Sequence, residues 1–287
     1  MASIQIIFGL LITALFAARA FSVKIGTAKL DSRTITLSSS LFLIAVTAIM
    51  AIIMEDWFTL PRISDTDAAI AVICAVIKGI AIYFTVKFLA DVAKESNSSS
   101  VFAGFISLGI AAPINSYILG EGLTAGQLIA CSLLSLLGFV FFSIGPASEL
   151  KKSGRRAFVF VIIAMVVIIM MDRMAIPRSG WFFYFALSNL VFFLFSFTSN
   201  FNKGKLEFRK NFSFPIMWAI GIIYTLGEIV VIYSYEEILP VTIGSLFIRL
   251  ASPIVMVASA YLYKESKPSK QLAFGLLAIL LAIPILL

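Results

Sequence analysis

Gly120-Glu121-Gly122-Leu123-Thr124-Ala125-Gly126-Gln127-Leu128 returns in altered form as Lys264-Glu265-Ser266-Lys267-Pro268-Ser269-Lys270-Gln271-Leu272. In both places a hydrophobic span carrying a proline (Pro113, Pro253) runs into an acidic turn, and a second span follows. The shared pattern is Glu-x5-Gln-Leu, and its copies stand 144 residues apart in a chain of 287. Half a chain length is the spacing expected of an internal duplication. Membrane carriers built from two inverted copies hold substrate near the bilayer midplane, where the copies meet.

The composition agrees with a membrane setting. Hydrophobic residues make up 61% of the chain and charged residues 13%. Apolar runs of about 20 residues recur, long enough to cross a hydrocarbon core of about 30 Å as helices. They are continuous rather than alternating, which excludes a barrel. Ten spans are expected, near 4–23, 35–54, 68–90, 99–118, 125–144, 157–172, 180–199, 214–234, 240–262 and 270–287. The expected fold is an all-α membrane protein with ten transmembrane helices in two inverted five-helix repeats, 1–150 and 151–287. The polar stretch holding Lys151, Lys152, Arg155 and Arg156 divides them.

The net charge of +7 sits mainly in loops and is read as cytoplasmic loop charge, with no nucleic-acid partner implied. Loops after odd-numbered spans hold the four cations just named, together with Lys24, Lys29, Arg33, Lys94 and the clusters at 203–210 and 264–270. Loops after even-numbered spans hold only Arg62, Arg173 and Arg178. Cationic loops stay in the cytoplasm, so both termini are expected outside. With five spans in each half, the halves then lie inverted. The first apolar run lacks a basic leader and a clear cleavage site, and reads as a first membrane helix rather than a signal peptide. Cys74 and Cys131 stand alone inside spans as apolar fillers. There is no histidine, so any proton coupling uses carboxylates or water.

These features together resemble the drug/metabolite transporter superfamily, specifically its ten-span EamA-type members. The resemblance rests on the repeated proline-span-Glu-span unit, clearest at Gly120-Glu121. It also rests on Asp172-Arg173-Met174-Ala175-Ile176-Pro177 followed by Trp181-Phe182-Phe183-Tyr184, and on Ser22-Val23-Lys24-Ile25-Gly26 before the second span. It implies movement of a small molecule without ATP, in a bacterial cytoplasmic (inner) membrane, by a monomer or homodimer, with export favoured over uptake. Two departures stand out. Lys264 occupies the usual glycine position, and the second proline-to-Glu spacing is 12 residues against eight. Ten-span relatives also usually keep both termini in the cytoplasm.

Charges within spans point to mechanism, because a central charge facing lipid costs at least about 2.5–3.5 kcal/mol. Lys78 lies mid-way along the third span and Arg249 mid-way along the ninth. Glu228 lies about 6 Å from the middle of the eighth, at 1.5 Å per residue. Helical spacing places Trp218, Thr225 and Glu228 on one stripe with Tyr224 beside it, and Ser245 and Arg249 on another. Ser107 and Asn115 lie on a small-residue face of the fourth span, where close helix packing competes with substrate contact. Arg19 and Lys87 are nearer span ends and are expected to snorkel to the interface. Two readings stand side by side. Glu228 locks helices together by pairing with Arg249 or Lys78, or the three form a central site. The second reading leaves a net single positive charge and favours an anionic or zwitterionic substrate such as an amino acid.

As the only carboxylate expected well inside a span, Glu228 is the candidate for proton coupling. Such a group must hold a proton when dry and release it when hydrated or paired. Glu121 and Glu265 precede the next helix and are expected to cap it. The alternative to a soluble-metabolite carrier is a flippase whose cations hold a phosphate-bearing, lipid-linked head group. An enzyme is not expected: HExxH, paired aspartates at helical spacing and a Ser–His pair are all lacking. No cofactor or metal is implied.

Overall fold

A computed structural model of the chain describes residues 2–53, 65–144, 150–201, 215–264 and 268–286. Ten α-helices fill them: α1 (Ala2–Thr27), α2 (Ser32–Ile53), α3 (Asp65–Glu95), α4 (Asn97–Tyr117) and α5 (Ala125–Ile144), then α6 (Lys152–Ser179), α7 (Trp181–Phe201), α8 (Pro215–Glu237), α9 (Val241–Leu262) and α10 (Pro268–Leu286). No strand occurs among the described residues. Eight helices are long and apolar enough to cross a bilayer, the build of an integral multi-pass membrane protein. In α4 and α10 the apolar stretch is shorter, Phe102–Tyr117 and Leu272–Ala282.

A helix closes its own backbone hydrogen bonds, which hydrocarbon demands. Hydroxyl side chains follow the same rule. Thr13, Ser22, Ser39 and Thr47 each donate to the carbonyl four residues back, so serine and threonine enter these helices without leaving a bare donor. Gly180 adopts φ +71°, open to glycine at little cost, and is the single residue between the end of α6 and the start of α7. Ile4, Ile52, Ile73, Leu136, Ile163, Leu226 and Leu280 are exposed on the outer faces, as bilayer-facing side chains are. Phe102, Phe105, Phe141, Phe158, Phe185 and Phe192 are instead buried packing bulk. Both cysteines are free and buried.

The helices do not pack in chain order. α1 lies against α8 and α9, α3 against α6 and α7, α2 against α7 and α8, and α4 against α5, α6 and α9. α10 joins α5 and α9. Residues before 150 are therefore laced to residues after it along the whole bundle.

Two expectations about helix ends are corrected. The sixth helix does not stop at Asp172 but continues to Ser179. A charge ends a hydrophobic run on paper. Here Lys78 neutralises it, so the helix runs on and carries Asp172 inside the bundle. Glu121 does not cap the helix that follows it. α5 is capped by a reciprocal box, in which Gln127 N donates to Thr124 Oγ1 (3.3 Å) and Thr124 N donates to Gln127 Oε1 (2.9 Å). Glu121 instead crosses to α9. Thr242 N donates to its Oε1 at 2.9 Å, and Thr242 Oγ1 donates to its Oε2. The carboxylate thus sits on a first-turn amide of a distant helix, where the dipole favours negative charge. Glu265 lies outside the described residues.

Candidate functional site

A cavity of about 100 Å³ lies among α1, α3, α4, α6, α8 and α9. Its walls are mostly apolar, with Phe16, Ile82, Leu89, Met165, Ile169 and Val231 among them. Into these walls are set four charged residues: Arg19, Asp172, Glu228 and Arg249.

Ion pairs occupy most of this charge. Lys78 Nζ donates to Asp172 Oδ1 at 2.6 Å, joining α3 to α6, and lies 4.8 Å from the Tyr184 ring centroid. Arg19 Nη1 lies 3.5 Å from Glu228 Oε1, joining α1 to α8. Its guanidinium carbon is 4.0 Å from the centroid of the Tyr224 ring and 5.3 Å from that of Phe16. Arg19 thus does not snorkel to an interface. It is buried, because a carboxylate and an aromatic face replace the water it leaves.

Arg249 has no such partner. It is 8% exposed and lines the cavity from α9. Among the described residues it makes neither an ion pair nor a hydrogen bond, and its Nε is a buried donor without an acceptor. Arg19 Nε and Thr85 Oγ1, on the same walls, are also buried without hydrogen-bond partners. Buried polar groups are nearly always satisfied, so three orphans around one cavity mark a place that water or a ligand completes.

Of the eight residues singled out in the sequence, Arg249, Glu228, Tyr224 and Ser245 come together on this cavity. Ser245 also hydrogen-bonds Tyr235 (3.0 Å between the hydroxyl oxygens). The other four do not line it. Lys78 is 1% exposed and sealed behind Asp172, so it is not open to a head group while that pair stands. Trp218 is 47% exposed and packs edge-on against Phe42, since a full turn and more along α8 separates it from Tyr224. Ser107 donates to the Gly104 carbonyl of its own helix at 2.8 Å. Asn115 Nδ2 reaches Thr242 Oγ1 at 3.3 Å, beside the Glu121 cap. The expected pairing of Glu228 with Arg249 or Lys78 is replaced by its pairing with Arg19.

Sequence reasoning missed two cavity residues of consequence, Arg19 and Asp172. Arg19 stands near the end of its predicted span, and Asp172 is the last residue of its own. The available signal was sign: two central cations against one carboxylate call for a further carboxylate, which Asp172 supplies to Lys78. Two further buried polar residues, Ser188 and Asn189, lie on α7 off the cavity. Ser188 donates to the Phe185 carbonyl, and Asn189 Nδ2 donates to Thr47 Oγ1 at 3.2 Å, tying α7 to α2.

No protein-family profile and no curated protein matches the chain. A solved crystal structure of a protein, described in no further terms, superposes with a TM-score of 0.67 at 14% sequence identity. The match covers 98% of this chain and 96% of that one, and a likeness at this identity establishes a shared fold alone.

Proposed function

We propose that the chain is a secondary carrier of drug/metabolite transporter type. In this reading it moves a small anionic or zwitterionic metabolite by rocking two inverted five-helix halves, 1–150 and 151–287, around the central cavity. The observation that carries the reading is Arg249, a buried cation with neither ion pair nor hydrogen bond among the described residues, at the wall of a cavity lined from both 1–150 and 151–287. A structural lock pairs its charges. A charge left single at mid-membrane depth costs several kcal/mol and has value where a ligand of opposite sign arrives to meet it.

The packing supports the two-half arrangement. Replacing each helix number n by n+5 turns α3–α6 into α8–α1, α3–α7 into α8–α2, α4–α5 into α9–α10 and α4–α6 into α9–α1, and every one of these pairs is in contact. The contacts α2–α7, α4–α9 and α5–α10 map onto themselves, as contacts across a twofold axis do. The same exchange relates the two ion pairs, Lys78–Asp172 on α3–α6 and Glu228–Arg19 on α8–α1. With five helices per half, and cationic loops held in the cytoplasm, the termini face outward.

Purified protein in liposomes tests the reading. Arg249→Gln is expected to reduce protein-dependent flux of small organic anions to the level of empty liposomes, with the thermal unfolding midpoint retained. A fall in folded yield alone, at unchanged flux per molecule, would make Arg249 structural and end the proposal. A cytoplasm-only reporter fused after Leu287 should be silent if the orientation is right.

A further inference from the structure

Charge bookkeeping around the cavity narrows the cargo. Arg19 is matched by Glu228 and Lys78 by Asp172, so one positive charge is left over, on Arg249. A single negative charge completes the site. A dianion would bring its second charge to walls whose other cation, Arg19, is already matched by Glu228 and whose remaining surface is mostly apolar. A zwitterion brings no net charge and leaves the surplus standing. Its ammonium would also have to take Glu228 from Arg19. A polyhydroxylated solute meets few hydrogen-bond partners. Among the lining hydroxyls, Ser245 is engaged with Tyr235, and Thr85 offers the one buried orphan oxygen.

The guanidinium is also placed with care. Arg249 lies across Gly104 of α4, so closely that a methyl group on that glycine would fall 2.5 Å from Nε and 2.9 Å from Cζ, and closer still to Cδ. No real side-chain carbon is tolerated at such distances. The absent side chain at position 104 is what lets the guanidinium occupy its present position. Gly104 is therefore a positioning residue, acting through Arg249.

We propose that the cavity selects a monocarboxylate with a small apolar body, docked by its carboxylate on Arg249 at a position set by Gly104. The inference rests on the carrier reading and deepens it. Four probes separate the chemistries: 4-methyl-2-oxopentanoate (a monoanion strong enough as an acid to cross lipid slowly unaided), L-leucine (the same skeleton as a zwitterion), succinate and inorganic phosphate. Binding to the full chain in detergent is read by the shift of the unfolding midpoint with concentration. The oxo acid is expected to bind at least tenfold more tightly than each of the other three.

Arg249→Gln should weaken it at least tenfold, and Gly104→Ala several-fold, neither lowering the ligand-free midpoint. Gly104→Ala removes no polar group, so a loss of affinity there reports displacement of the guanidinium. If Gly104→Ala lowers the ligand-free midpoint, Arg249→Lys, which keeps the charge and gives up the planar fork, must still prefer the oxo acid while binding it more weakly than the unaltered chain, or the proposal fails. Equal or tighter binding of leucine, succinate or phosphate would overturn it. Preferential liposome flux of one of those three would overturn it too, while leaving the carrier standing. The expected binding order with no protein-dependent flux of any probe would instead overturn the carrier reading.

Discussion

Lys78–Asp172 and Arg19–Glu228 join the same two parts of the chain, yet they differ in closeness and setting. The first is tight, at 2.6 Å, with side chains only 2% and 3% exposed. The second is looser, at 3.5 Å, with side chains 10% and 15% exposed toward the cavity. A charge buried without water leans wholly on its partner, and removing the partner strands it. A charge beside a hollow can be rehydrated: both partners of the second pair line the cavity, whereas in the first Asp172 does and Lys78 is sealed behind it. The contrast assigns the α3–α6 pair to holding the bundle and the α1–α8 pair to the cavity wall, where water can reach its charges.

The sharpest way to break this contrast is at the tight pair. Asp172→Ala leaves Lys78 buried and unmatched, and thermal or denaturant unfolding in detergent should show a loss of about 3–5 kcal/mol. Replacing both partners by apolar residues, Lys78→Met with Asp172→Leu, should restore most of that stability. If the single change proves as mild as one at the cavity-facing pair, the distinction between them collapses.

At the looser pair, Glu228→Gln should cost only about 1 kcal/mol of stability, because the freed Arg19 gains water from the cavity. Its effect belongs to transport. Gradient-driven flux should fall while exchange without a pH gradient continues. Flux identical to wild type under both conditions would remove Glu228 from coupling. Smaller again is Glu121→Gln, which keeps the cap's shape but not its charge. A loss of about 0.5–1 kcal/mol is expected, read by the unfolding midpoint. Smallest of all is Trp218→Ala, expected to leave flux unchanged, because this ring packs on Phe42 away from the cavity.

The membrane class and nearly all the helices were legible in the sequence because a 20-residue apolar run has few other uses. Arg249, Glu228 and Tyr224 were legible for a related reason, as polar groups where polarity is costly. Asp172 was not, because hydropathy stops a span at a charge, and only the neighbouring helix shows that the charge is matched. Arg19 was hidden in the same way. The Glu-x5-Gln-Leu pattern was visible but its first copy was parsed wrongly. Its glutamine caps the next helix, and its glutamate caps a helix more than a hundred residues away. Capping chemistry can be read locally only when donor and acceptor are neighbours in the chain. Trp218 failed because one helical stripe spans more depth than one cavity.

The ion pairs also divide by origin. Both cations, Arg19 and Lys78, come from the chain before residue 150, and both carboxylates, Asp172 and Glu228, from the chain after it. Two copies of the leading segment would set like against like, and so would two copies of the trailing one. Only the unlike combination pairs these four charges, so the two segments, made as separate polypeptides, should recognise each other and refuse themselves.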